Sequence, residues 1–183
     1  MRTENDFLGA KDVPVNAYYG IHTVRAMENF RVSRQLVHPE LIRALATVKQ
    51  AAVEMNMSLG LLDARLGSAI FQAAAEIADG NLADQFPVDA LQGGAGTSTN
   101  MNLNEVIANR AIEHLGGRKG DYQLVHPLDH VNLHQSTNDV FPTAVRIAAI
   151  RLLKPVTEAF ANLQSALQEK EETFSRIIKA GRT

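Results

Sequence analysis

Apolar residues recur with a helical period over most of the chain beyond residue 38. Pro39 and Glu40 open a segment in which Leu41, Leu45, Val48, Ala52 and Met55 fall at three and four residue steps, which predicts a helix ending near Gly60. Asp63 is the expected N-cap of a second helix carrying Leu66, Ile70, Ala74 and Ile77, with Gly80 at its C-terminal stop. A glycine-rich stretch, GGAGTS at 93–98, runs directly into MNLNEVIANRAIEHL and predicts a third helix closing at Gly116 and Gly117. Asp139 and Pro142 read as the cap and first turn of a fourth, extending from about Phe141 to Lys179. From Met1 to about Val37, Gly9, Pro14 and Gly20 interrupt any period, so extended or turn structure is expected there. The fold class is therefore mainly α: an N-terminal helical domain with a loop-rich start over 1–138, and a long helix over 139–183.

That last helix carries its apolar residues on three heptad tracks: Ala149, Val156 and Leu163; Leu152, Ala159 and Ala166; Leu153, Phe160, Leu167 and Phe174. A stripe three positions wide is broader than a two-helix seam and predicts contact with more than one neighbour, as in a bundle. At 1.5 Å per residue the helix would run roughly 57 Å, more than the rest of the chain can cover. Either it oligomerises or the chain is a fragment. Pro155 removes one backbone hydrogen bond and is expected to bend it.

Composition narrows the functional classes. Lys and Arg number 18 against 20 Asp and Glu, a net charge of −2 that leaves no overall positive field for a nucleic-acid backbone. Hydrophobic residues at 45% can offset the entropy of ordering, so a folded domain follows. With no cysteine, disulfides, thiolate metal sites and a cysteine nucleophile are excluded. The first residues carry acids where a secretory signal would be apolar, and no window approaches the roughly 20 apolar residues of a membrane span, so a cytoplasmic location is expected.

Two stretches have the makings of anion sites. Gly93 to Ser98 offers unobstructed backbone N–H groups, the Thr97 and Ser98 hydroxyls and the positive end of a helix dipole. Ser136, Thr137 and Asn138 repeat the arrangement before the long helix. Residues of these types before a helix also serve as plain caps, and either reading fits the local pattern. His126, His130 and His134 would share one face of a helix beside Asp129, a spacing that can bind zinc, but Pro127 opposes an uninterrupted helix and a hydrogen-bonded polar network is the expected alternative. His22 and Arg25 are candidates to pair with an anionic ligand or to form a structural ion pair.

YYGIHTVRAMENF, QGGAGTSTNMNLNEVIANRA, HVNLHQSTNDVFPTAVRIA and the closing KAGRT occur in the order and spacing of the aspartase/fumarase superfamily, which the chain resembles over essentially its whole length. The GGAGTS form of the first loop, the STND form of the second and the DFLGAKDVPVNAYYGIHT start resemble its aspartate ammonia-lyase branch. Class II fumarases, with GSGT and SSND, are the near neighbours. The resemblance implies reversible deamination of L-aspartate to fumarate and ammonia; no cofactor is expected, and no metal-ligating residues are assigned in this chain. Thr97, the trio Ser136, Thr137 and Asn138, and Thr183 match substrate-binding positions. Arg25 aligns with an arginine suggested to hold a carboxylate. His126 and Asp129 resemble the peripheral carboxylate site of fumarases, departing from it at Leu128, where that site has asparagine.

The resemblance also implies what is missing. The family's proton acceptor is a serine on a flexible GSS-containing loop far downstream of GRT, so no catalytic residue is expected in this chain. Four of the five long helices of the central homotetrameric bundle are likewise expected beyond it, the helix from 139 being the first. The expectation is an N-terminal portion of an aspartate ammonia-lyase, inactive alone; a fumarate hydratase and a catalytically silent helical oligomerisation module are the alternatives. The exposed stripe predicts self-association through Leu153, Phe160 and Leu167, to be checked by sedimentation velocity; a strictly monomeric profile contradicts it.

Overall fold

The computed structural model describes residues 1–182 and is mainly helical. An antiparallel hairpin, β1 (Arg2–Asp6) and β2 (Gly9–Val13), precedes five helices: α1 (Ile21–Asn29), α2 (Pro39–Ser58), α3 (Ala64–Ala78), α4 (Thr97–His114) and α5 (Thr137–Phe174). A 3-10 turn at Ala83–Gln85 and a π-helical turn at Pro127–Val131 complete the secondary structure. Two compact units result, Met1–Ala148 and Ala149–Thr183. The first takes in the opening turns of α5, where Val140, Ala144 and Ala148 are buried. In the second, every described residue is exposed. Among the described residues no helix is long and apolar enough to cross a membrane.

Local chemistry starts and stops α2 and α3 where the pattern places them. His38 Nδ1 accepts from Glu40 N at 3.2 Å, and Pro39 takes the first helical position, where its missing N–H costs nothing. Asp63 caps α3 by accepting from the N–H groups of Arg65 and Leu66, both at 3.0 Å, and Gly80 (φ +95°) turns the chain away. The buried face of α2 is Ile42, Leu45, Lys49, Val53 and Asn56, rotated from the expected stripe: Met55 is exposed, Leu41, Val48 and Ala52 only half-buried. Packing against both α3 and α4 moves the contact face toward these residues. Leu45, Ile70, Ile77, Leu103, Ile107 and Ile112 are fully buried at the centre, each contributing about 1.5–3 kcal/mol by leaving water.

Two expectations are corrected. The long helix begins at Thr137 rather than at an Asp139 cap: Ser136 Oγ accepts from Asn138 N at 3.2 Å, and Asp139 sits within the first turn. The start of the chain is not merely extended, since Ile21–Asn29 is helical. Its N-cap, Gly20, has no side chain to advertise it; the capping group comes from α4 instead. The carboxylate of Glu105 accepts from the N–H groups of Gly20 (2.8 Å), His22 (2.8 Å) and Thr23 (3.1 Å) and from the Thr23 hydroxyl (2.6 Å). Glu4, held by Arg2, accepts from Ile21 N at 2.8 Å. A Cβ at Gly20 would lie 2.7 Å from Glu4 Oε2 and 2.8 Å from Glu105 Oε1, so only glycine fits between the two carboxylates.

Glu105 is wholly buried, and burial pushes its carboxyl up against the downward pull of these donors. Glu105→Ala strands four donors at the head of α1 and is expected to cost about 3 kcal/mol or more, read from the urea midpoint. Glu105→Gln keeps an acceptor and should lose less.

Candidate functional site

The loop ahead of α4 is shaped by its glycines and by one glutamine. Gly94 and Gly96 both have positive φ (+74° and +83°), and a Cβ at Gly96 would collide with the Phe141 ring of α5. Gly96 as N-cap has no side-chain bond to give, so Gln92 reaches over: its Oε1 accepts from Thr99 N and its Nε2 donates to Thr99 Oγ1, each at 2.8 Å. Asp89 anchors the approach by accepting from the N–H groups of Val32, Ser33, Arg34 and Leu91. The Ser33 hydroxyl and these N–H groups hold its carboxyl well below the usual carboxylate range. Thr97 is exposed and Ser98 half-buried at the first two helical positions, where backbone N–H groups have no partner within the helix.

The second candidate stretch lies beside this one. Ser136 and Asn138 are exposed and Thr137 half-buried at the head of α5. Asn100, one turn into α4, donates from Nδ2 to Thr137 Oγ1 at 3.2 Å, and Phe141 packs on Gly96. Thus the helix N-termini predicted separately from sequence are brought together by one hydrogen bond and one ring contact. A cleft of about 550 Å³ runs behind the first loop, bordered by Gly94, Ala95, Gly96, Phe141, Pro142 and Arg146 among others; Thr97, Ser136, Thr137 and Asn138 are not in its walls.

Beneath the paired N-termini lies a polar node that sequence reasoning missed. Asn132 Oδ1 accepts from Lys49 Nζ (2.8 Å) and from the side-chain amides of Asn100 and Asn104 (both 3.1 Å), while Asn132 Nδ2 donates to Gln135 O (3.0 Å). Lys49 is fully buried, and among the described residues it makes no ion pair. Burial pulls its ammonium from the usual 10.5 down to about 7. The buried carbonyl oxygens of Asn100, Asn104 and Gln135 have no donor. A signal existed in the text: Lys49 falls four residues from both Leu45 and Val53 on the apolar face, and NMNLNE sets asparagines, poor helix formers, inside a helix.

The remaining candidates lie apart from this node. Arg25 donates from Nε and Nη2 to the two Asp6 oxygens, both at 2.8 Å, and from Nη2 to Gly9 O, so its guanidinium is committed to the hairpin. His22 gives its N–H to Glu105. The three histidines do not converge. His126 Nδ1 accepts from the N–H groups of Leu128 and Asp129 and lies 3.1 Å from Asp129 Oδ2. His130 Nδ1 accepts from His126 N, and His134 (φ +57°) pairs with Asn56. Pro127 opens the π-helical turn instead of interrupting a longer helix. Thr183 lies outside the described residues.

Comparison with known proteins places this geometry in context. A family model described as lyase matches residues 9–183. An aspartate ammonia-lyase from Bacillus sp is 51% identical over 183 residues, covering 100% of this chain and 39% of the relative. A class II fumarate hydratase from Bradyrhizobium diazoefficiens matches at the same 51%, with the same coverage. Among solved structures, a fumarate lyase:delta crystallin from Brucella melitensis superposes with a TM-score of 0.97 at 52% identity, over 100% of this chain and 42% of that one. A class II fumarase from Schistosoma mansoni gives 0.92 at 38%, over 100% and 39%. The chain thus spans about two fifths of the length of the relatives it matches.

The buried lysine makes stability depend on pH with a definite sign. An unfolded chain holds the Lys49 proton up to about 10.5 and the folded one releases it near 7, so unfolding takes up a proton and stability rises with pH across that window. Urea titrations from about pH 7 upward should show this rise, and Lys49→Met should flatten it.

Proposed function

The chain belongs to the lyase family, and from that premise we propose that it is the N-terminal portion of an aspartate ammonia-lyase, which interconverts L-aspartate with fumarate and ammonia. The observation that supports this reading is the Asn100 to Thr137 hydrogen bond, which sets two hydroxyl-bearing helix N-termini side by side, as recognition of the two carboxylates of a small diacid requires. Thr97 serves one carboxylate; Ser136, Thr137 and Asn138 serve the other; Thr183 completes the set.

The chemistry asks for such donors. A proton leaves the carbon next to the β-carboxylate, and its electron pair is stored as a dianionic aci-carboxylate. That pair then forms the double bond as the neighbouring carbon releases its nitrogen, giving fumarate and ammonia. Preorganised N–H and O–H groups aimed at the developing charge contribute about 3 to 4 kcal/mol each. Helix N-termini supply them without reorganisation at the moment of reaction. The proton acceptor is expected from a serine beyond this chain, so residues 1–183 bind and polarise but do not turn over. Arg25 can reach a carboxylate only by giving up Asp6, which makes it the weakest member of the set. The division at 138/139, a tetramer built on α5 and a cytoplasmic location belong to the same reading.

A second reading, fumarate hydration, is favoured by the hydratase relative at the same identity. L-Aspartate and L-malate offered to the full-length protein, with fumarate followed by its ultraviolet absorbance, decide between them. Release from aspartate is expected, and Thr97→Ala or Ser136→Ala should each lower kcat about a hundredfold. The 183-residue chain should be silent with both substrates, and turnover by it alone overturns the division of labour.

A further inference from the structure

The polar node has features that structural packing does not require. A buried ammonium without a counter-charge is costly, and amide oxygens left without donors in the same cluster add to the cost. An apolar side chain at position 49 would fit the stripe between Leu45 and Val53 and remove the first of these costs. What the lysine does contact leads, through a short series of bonds, to the second anion site. Lys49 Nζ holds Asn132 Oδ1 at 2.8 Å; Asn132 Oδ1 holds the Asn100 amide at 3.1 Å; the same Asn100 nitrogen donates to Thr137 Oγ1 at 3.2 Å. At its other end Asn132 holds the carbonyl of Gln135, directly before Ser136. Because the Thr137 oxygen already accepts from Asn100, its own proton is left to point elsewhere, and among the described residues it has no acceptor in the fold.

We infer that Lys49 is a positioning residue of the anion site: through Asn132 and Asn100 it turns the Thr137 hydroxyl outward as a donor, and its charge balances the carboxylate that Thr137 receives. The inference rests on the reading of Thr137 as a carboxylate ligand. It extends that reading to a residue on α2 that no substrate atom needs to touch. Titratable groups on the surrounding elements are occupied elsewhere: Glu105 of α4 with α1, Glu76 of α3 with Arg110, Asp129 with His126, His130 with the His126 backbone, and His134 with Asn56. Asp139, in the first turn of α5, is exposed. A dianion arriving at Thr137 is therefore the partner the buried charge lacks. Binding then raises the affinity of Lys49 for its proton, and by linkage the diacid binds more tightly where the lysine is charged.

The test uses the 183-residue chain labelled with ¹⁵N-asparagine, and succinate as the probe. Without succinate, the Asn100 and Asn132 side-chain amide signals should shift with a midpoint near 7 as pH rises, and should stay still in Lys49→Met. Signals that stay still in the unsubstituted chain, or that titrate unchanged in the variant, overturn the relay. With succinate, binding should be several-fold tighter at about pH 6 than at about pH 8.5 if the diacid raises the lysine's pKa by about one unit, and at most about thirtyfold tighter for any larger rise. Thr137→Val should abolish that slope while leaving the amide titration in place. Binding that is equally tight at both pH values overturns the role of the charge. If succinate binds at neither, the functional reading of Thr137 fails, and the amide titration still decides whether Lys49 governs Asn100. Should Lys49→Met not fold, the titration of the unsubstituted chain and its proton uptake on binding, measured by calorimetry in two buffers, carry the test.

Discussion

One amide oxygen ties the candidate site to the scaffold. Asn132 Oδ1, just past the π-helical turn, gathers Lys49 from α2 and Asn100 and Asn104 from α4, and the same side chain fixes the Gln135 carbonyl ahead of α5. Three separate stretches of chain are thereby held to a common point within ordinary hydrogen-bond length. Buried hydrogen bonds of this kind are worth little net over water, yet leaving any one of them unmade is expensive, so the node specifies geometry more than it adds stability. The relative position of the two helix N-termini follows from it.

The same logic recurs at the other end of α4. That helix is buried on nearly every side, and its interior carries Asn100, Asn102, Asn104, Glu105 and Asn109 among apolar residues. Each polar group is spent on a distant segment: Glu105 on the head of α1, Asn109 on the Tyr18 carbonyl and Gly120 N, Asn102 on the Gln85 carbonyl. A central helix built this way acts as a hub on which loops are hung. The head of α1 is ordered by Glu105 of α4 and by Glu4 rather than by its own propensities, and Gly20 is where these two carboxylates leave no room for a side chain.

The second unit has the opposite character. From Ala149 to Arg182 every residue is exposed, including Leu153, Phe160, Leu163 and Leu167. Apolar area of this extent is unstable against association in water, and a stripe three tracks wide presents contacts in more than one direction. The continuation of α5 through Pro155 shows that the lost backbone bond is tolerated within a helix of this length.

How much of this was legible beforehand depends on the range of the forces involved. The termini of α2 and α3 could be read directly, because His38, Pro39, Asp63 and Gly80 act on backbone groups within a few residues. The two loops with hydroxyls at helix starts were legible for the same reason, and family resemblance identified their residues. Hidden were α1, whose cap is 85 residues away in sequence from the group it caps, and the node, whose members at 49, 100, 104 and 132 have no local pattern in common. The true face of α2 was hidden too, since it is chosen by which neighbours pack on it. By itself the sequence determined where α2 and α3 begin and end and which hydroxyls stand at the heads of α4 and α5; tertiary structure alone decided that those heads meet, and that a buried lysine stands behind them, because buried polar groups take whatever partner the fold brings within about 3 Å, regardless of distance along the chain.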